Sequence, residues 1–336
     1  MTMDRHILLA HGNGGRLMRE LIDSVFVRHL GNPWLDAGAD AAAVPLGGRE
    51  LVLTTDAFTV QPLEFPGGDI GTLAVNGTVN DLAVAGAVPL YLTLSVIVEE
   101  GFEIARLERI AASMARAAEA AAGVVVVAGD TKVVRRGEGG GLYLATTGAG
   151  LRAHAPPPGP AGVREGDRLL VSGPVGDHGT AVLLAREEFG LSGELASDCA
   201  NVLGLAQALL PLSGLRCMRD PTRGGLATVA YELCRASGLG ISLDQAAIPV
   251  RPAVQAVCEM LGYDPLYLAC EGRVVAVVAE RDAAAALAAW RALPDGREAA
   301  LIGSVRAGRP CVALRTPLGG ERLLQELEDD PLPRIC

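Results

Sequence analysis

The stretch VVVVAGDTKVV, residues 124–134, separates strand from helix most sharply in this chain. Val124 to Ala128 is an unbroken apolar run rich in β-branched valine, short enough for a strand and bare of helical spacing. Just before it, Gly123 stops the clearest helix: over Ile104 to Ala122, Leu107, Ile110, Ala111, Met114 and Ala118 recur at helical intervals. Further toward the N-terminus come a strand over Leu90 to Val98 and a helix over Asp69 to Ala87. Asp69 is placed to cap that helix, and Pro89 lies just beyond it. A strand over Glu50 to Thr55 precedes them, and Leu142 to Gly148 forms another downstream. Strands and helices alternate, which places the chain in the α/β (α+β) class.

At 336 residues the length suits two domains. Residues 155–160 read APPPGP, and three consecutive prolines cannot lie inside a helix or sheet. A boundary near residue 155 divides an N-terminal unit, 1–154, from a second α/β unit, 155–316. The second half has strands at Arg168–Ser172, Ile241–Leu243 and Arg273–Ala279. Its helices are expected at Gly179–Glu188, Asn201–Leu210, Leu226–Ala236, Ala253–Leu261 and Asp282–Leu293. Ala299–Val305 and Cys311–Leu314 look like a terminal hairpin. Residues 317–336 are rich in acids and proline and read as a mobile tail, with cysteine as the last residue.

The formal charge of −10 argues against an electrostatic grip on nucleic acid or on an anionic membrane. The longest uncharged apolar stretch, Leu82 to Val98, carries Pro89 and is too short to span a bilayer comfortably. Seven cysteines without CxxC spacing or a secretory signal fit a reducing, cytoplasmic setting. Of the 29 cationic side chains, 28 are arginine and one is Lys132. Lysine can transfer a proton where arginine cannot, so Lys132 is a candidate for chemistry, the alternative being a lone surface lysine.

Aspartates lie in or beside apolar runs at Asp40, Asp56, Asp81 and Asp130, and Asp220 opens the segment DPTRGG. Carboxylates grouped around one pocket suit Mg²⁺ and phosphate, although any one of them could be a cap or turn former. Glycine loops at 11–15, 173–179 and 222–225 precede helices and could bring backbone N–H groups to phosphate. Neither a GxxxxGK[ST] loop nor a GxGxxG after a strand is present. Glu271, in LACEGRVV, could be a base of raised pKa or could pair with Arg273. His178 could touch phosphate or cap a helix. Cys336 could carry a covalent group: the segment from Asp330 reaches about 20–25 Å when extended.

These pieces resemble the HypE family of hydrogenase expression/formation proteins. Its superfamily includes aminoimidazole ribonucleotide synthetase, selenophosphate synthetase and thiamine-monophosphate kinase. The resemblance rests on HGNGG at 11–15, TTD at 54–56, PGGDIG at 66–71, ND at 80–81 and GDTKVV at 129–134. It continues through GDHG at 176–179, DPTRGG at 220–225, EG at 271–272 and PLPRIC at 331–336. It implies a two-domain PurM-like fold that dimerises through the N-terminal sheet, with ATP and Mg²⁺ at the dimer and domain junction. It also implies that Cys336 receives a carbamoyl group from HypF. ATP-dependent dehydration would turn the thiocarboxamide into a thiocyanate, and the cyano group would pass to iron on a HypC–HypD complex.

Carried over by motif, Lys132 and Glu271 are expected to move protons. Asp40, Asp56, Asp81, Asp130 and Asp220 are expected at metal and phosphate. Asn80, Thr131 and His178 are expected among the nucleotide contacts. The chain departs from the family at Cys270, where asparagine is common, and at Arg273, where lysine is frequent. A small-molecule kinase or synthetase of the same superfamily, like thiamine-monophosphate kinase, is the alternative activity, and a scaffold or thiol carrier without turnover is a third.

Overall fold

The computed structural model describes residues 16–21, 23, 42–46, 49–152, 157–186, 195–327 and 334–336. Asp40, the His11–Gly15 loop and Pro331–Pro333 lie outside the described residues. In chain order the N-terminal half contains α1 (Arg16–Leu21), β1 (Ala42–Leu46), β2 (Arg49–Phe58), β3 (Glu64–Phe65) and β4 (Gly68–Asp69). Then come α2 (Ile70–Val84), β5 (Ala87–Glu99), α3 (Ile104–Ala120), β6 (Val125–Val134) and β7 (Leu142–Arg152).

Five of these strands form one sheet in the order β1-β2-β7-β5-β6, antiparallel except for the β5–β6 pair. Asp69 caps α2 as expected, its carboxylate accepting from the Thr72 N–H at 2.8 Å. α2 is buried nearly throughout, because it lies between the sheet and α3. Leu73, Val79, Leu92, Ile110, Met114 and Leu144 form the core there. Along β5 the side chains alternate as the pleat requires: Leu92 and Val98 face the core, while Tyr91 and Ile97 are exposed. The edge strand β6 is exposed along almost its whole length, including Val125, Val126, Val127 and Val133.

The second half contains β8 (Arg168–Val171), α4 (Asp177–Ala185), α5 (Leu203–Leu209), β9 (Leu215–Arg219), α6 (Gly225–Ser237) and β10 (Gly240–Asp244). After them come α7 (Pro252–Leu261), β11 (Val275–Val278), α8 (Ala283–Arg291), β12 (Ala300–Arg306), β13 (Val312–Arg315) and β14 (Glu321–Leu323). The seven strands pair in the order β14-β13-β10-β12-β8-β11-β9. Both faces are covered. Leu169, Val171, Val275 and Val277 pack with α6 on one side, whereas Leu170, Ala276 and Val278 pack with α5 and α8 on the other. That two-sided burial explains why these strands read as continuous apolar runs.

Three expectations change. The Ala299–Leu314 hairpin does not form: β10 lies between β12 and β13, antiparallel to one and parallel to the other. The hairpin is β13 with β14, so residues 317–327 belong to the second unit rather than to a mobile tail. Asp56 and Asp130 do not follow strands but lie within β2 and β6. Long-range pairing of β2 with β7 and of β6 with β5 carries both strands through residues of poor strand propensity. Among the described residues, no helix is long and apolar enough to cross a membrane.

Candidate active site

Glu271 lies in the loop entering β11 and is buried where the two halves meet. Asn80, on α2, holds this loop: its side-chain amide donates to the Glu271 and Ala200 carbonyls, and its oxygen accepts from Val202 N–H. The Glu271 N–H donates to Asp198 at 3.1 Å. Burial pushes the Glu271 carboxyl well above its usual range, and the nearby acids Asp220, Asp198 and Asp56 push the same way. Its Oε1 is buried and has no hydrogen-bond partner among the described residues.

The surroundings are acidic. Burial raises Asp56, with Ala57 N–H and Arg223 opposing. Burial also pushes Asp220 up to about 6 against the pull of Arg219, with Asp56 and Glu232 adding to the rise. Asp81 accepts from the Thr54 hydroxyl at 2.6 Å. Arg223 is the cation that opposes the rise at Asp56, Glu271 and Cys336 alike. It stands in the turn before α6, where Gly225 has φ +60° and a Cβ would sit 2.5 Å from the Leu268 carbonyl. The two glycines of DPTRGG thus let this turn pack tightly on the segment leading to Glu271.

Cys336 reaches this same junction. Its sulfur receives a hydrogen bond from Arg223 Nη2 at 3.1 Å, and its carbonyl oxygen accepts from the Thr59 N–H and hydroxyl. Burial pushes its thiol up to about 12, with Glu271 and Asp56 adding to the rise and Arg223 opposing it.

The structure therefore brings Asp56, Asp220, Glu271 and Cys336 together, with Asn80 bracing the Glu271 loop. It does not bring Lys132 to them within one chain. Lys132 sits on the edge strand β6 with 69% of its side chain exposed, paired at 2.9 Å with Asp130, which is 62% exposed. Thr131 lies between them on the same exposed strand. Both ring nitrogens of His178 are engaged by protein atoms, at Ser197 and Ile335.

The alternative pairing of Glu271 with Arg273 does not form. Arg273 instead reaches Asp198 at 3.3 Å and Asp177 at 3.6 Å. Cys270 is no stray thiol at the site, since its sulfur is buried and accepts from Gly176 N–H. Cys199 also lies near Glu271: its sulfur accepts from Asn76, and Glu271 adds to the rise that burial causes in its thiol. Asp198 and Arg223 were not singled out from sequence. Arg223 could have been, as a cation between an aspartate and a Gly-Gly helix start. Asp198 carries no local signal. No cluster of three or more His, Cys, Asp or Glu side chains suited to hold a metal occurs among the described residues.

Two family models match the chain: AIR synthase related protein, N-terminal domain, over residues 38–152, and its C-terminal domain over residues 164–313. Carbamoyl dehydratase HypE of Cupriavidus necator is 52% identical over 332 residues, 98% of this chain and 94% of that protein. The Azotobacter vinelandii HypE is 49% identical, covering 98% and 96%. The crystal structure of a HypE–HypF complex superposes with a TM-score of 0.86 at 43% identity, covering 91% of this chain and 99% of that one. A HypE structure in complex with ATP gives 0.81 at 44% identity, covering 98% and 100%. Such identity over nearly the whole chain favours the HypE reading over the kinase-like alternative. The acidic junction, the two matched domains and these relatives lead to one assignment: the chain belongs to the HypE family of carbamoyl dehydratases, enzymes of hydrogenase maturation.

Proposed function

We propose that this protein dehydrates a carbamoyl group carried on its own Cys336, using ATP, to supply cyanide for the iron of [NiFe]-hydrogenase. The observation that carries the proposal is the position of the Cys336 sulfur, held by Arg223 close to Glu271. An amide oxygen leaves poorly, so the γ-phosphoryl of ATP is first transferred to it, releasing ADP. The nitrogen then loses its protons and the oxygen departs with phosphate, leaving S–C≡N. Glu271 is the base, because its raised pKa suits it to take a proton near neutral pH. Arg223 neutralises charge that develops beside the sulfur.

The carboxylates at Asp56 and Asp220 lie close enough for Asp56 to disfavour ionisation of Asp220, and both present hard oxygen donors, which suits Mg²⁺. They would hold the ion together with the nucleotide phosphates, with Asp40, Asp81 and Asp130 as further candidates. The ion supplies charge neutralisation for phosphoryl transfer. Thr131 would act with them at the nucleotide.

The exposed apolar face at Tyr91, Ile97 and Val125 supports a homodimer formed through the N-terminal sheet. A second copy would also cover Lys132, and there it could relay a proton. The further partners in this proposal are HypF, seen in complex with a HypE relative, and a HypC–HypD complex as acceptor. The setting is the cytoplasm, and the two units divide near residue 155. The test is the mass of the C-terminal peptide. With carbamoyl donor and Mg·ATP it gains a carbamoyl group and then loses one water; a carbamoyl form that persists in Mg·ATP refutes the proposal.

A further inference from the structure

The last three residues run beside residues 59–61, with Arg334 in the left-handed region at φ +56°. Thr59 N–H donates to the Cys336 carbonyl at 2.9 Å and Gln61 N–H to the Arg334 carbonyl at 3.1 Å. Arg334 Nε returns a bond to the Thr59 carbonyl, and Arg186 bridges the Gln61 and Arg334 carbonyls. Between those two carbonyls in sequence, that of Ile335 meets His178 Nε2 at 2.8 Å. The Ile335 side chain is buried in the N-terminal core cluster.

His178 is fully buried, with its ring edge-on to Phe65. Its other nitrogen, Nδ1, lies 2.8 Å from the Ser197 hydroxyl, which also accepts from the Cys199 N–H at 3.0 Å. A carbonyl only accepts, so Nε2 must carry the hydrogen. Nδ1 must then accept, and the Ser197 hydroxyl donates to it. Ser197 is itself fixed by its N–H, which donates to the Pro66 carbonyl at 2.7 Å. Gly67 makes this approach possible: its φ is +93°, and a Cβ there would lie 2.6 Å from the Ser197 carbonyl oxygen.

We propose that His178 is a substrate-positioning residue, which grips the main chain of the tail at Ile335, and that Ser197 fixes the tautomer with which it does so. The grip is independent of the side chain at 335, and it stands one residue before the reacting sulfur. A slip of the tail along residues 59–61 is thereby resisted by a contact outside that pairing. His178 on this proposal serves the tail, not the nucleotide. The inference rests on Cys336 being the carrier, but its test uses neither ATP nor a carbamoyl donor, so the two can fail separately.

The full-length protein is treated with limiting iodoacetamide, and peptide mass spectrometry follows each of the seven cysteines with time. In His178→Phe, which keeps the ring and loses both hydrogen bonds, Cys336 should react about fivefold faster or more. Ser197→Ala should accelerate it about twofold or more. His178→Gln, retaining an amide donor, should fall between wild type and His178→Phe. Cys217, Cys234, Cys258 and Cys270, all buried, report folding and should stay protected. Unchanged Cys336 rates in His178→Phe and Ser197→Ala, with those four protected, overturn the proposal. Should His178→Phe expose them, Ser197→Ala decides alone by the same criterion. The expected alkylation pattern in a protein that fails to dehydrate its carbamoyl group would leave the grip standing and refute the Cys336 reaction.

Discussion

Arg223 donates a hydrogen bond to the sulfur of Cys336 across 3.1 Å, and the same guanidinium opposes the raised pKa values of Asp56 and Glu271. One cation thus lies against a thiol and two acids of raised pKa, so its removal should be felt in chemistry before stability. In Arg223→Met we expect dehydration of the carbamoylated tail to slow by roughly 100-fold, in line with the loss of one well-placed charge donor. Single-turnover mass spectrometry of the C-terminal peptide measures it. A rate within threefold of wild type would remove Arg223 from the mechanism.

Glu271→Gln should keep the shape of the loop and lose the base. The expected fall in dehydration is on the order of 10²–10⁴, with ATP affinity unchanged. Because the Glu271 carboxyl is held well above its ordinary range, the wild-type rate should rise with pH through a limb displaced upward from normal carboxylates. The variant should lack that limb.

Two sets of buried groups pull the stability of the fold in opposite directions between about pH 4 and 6.5. Asp220 is raised from 3.8 to about 6, so its contribution is complete below 3.8 and is lost as pH rises through 6. Asp56 and Glu271 act in the same sense. His178 is lowered from 6.5 to about 4, so its contribution is complete above 6.5 and is lost as pH falls through 4. Urea unfolding of Asp220→Asn should therefore climb more steeply with pH than wild type, by on the order of 2–3 kcal/mol across this window. His178→Phe should tilt the other way. Equal slopes in the two variants would show that these groups do not carry the dependence.

Val125→Asp places a charge on the exposed sheet face, beside Tyr91. If the sheet face is covered by a second copy, size-exclusion chromatography with light scattering should show monomer in place of dimer. Lys132 lies on the same strand, so that variant should also lose most of its dehydratase rate. Lys132→Arg, which keeps the charge but cannot readily give up a proton, should keep the dimer and lose at least about tenfold in rate.

Local elements were legible wherever one period or one cap decided them. The helix beginning at Ile104, the Asp69 cap of α2 and the strand within Arg273–Ala279 all follow from side chains a few residues apart. The β12–β13 hairpin suggested by proximity does not form because both strands choose β10, a partner some 60–70 residues away by number. At the site, Glu271 stood out as an acid in an apolar run, and burial explains its raised pKa. Its neighbours Asp198 and Arg223 come from distant loops and carry no shared periodicity.

By itself the sequence determined the α/β class, the motifs that mark the HypE family, and the oddity of one lysine and one terminal cysteine, because composition and short spacings are properties of the chain alone. Tertiary structure decided what those residues meet. It left Lys132 on an open strand edge, drew Cys336 against Arg223, and turned His178 from a candidate phosphate contact toward the Ile335 carbonyl. The physical reason is that burial, opposing charge and main-chain pairing depend on which segments pack together, and no local pattern encodes that.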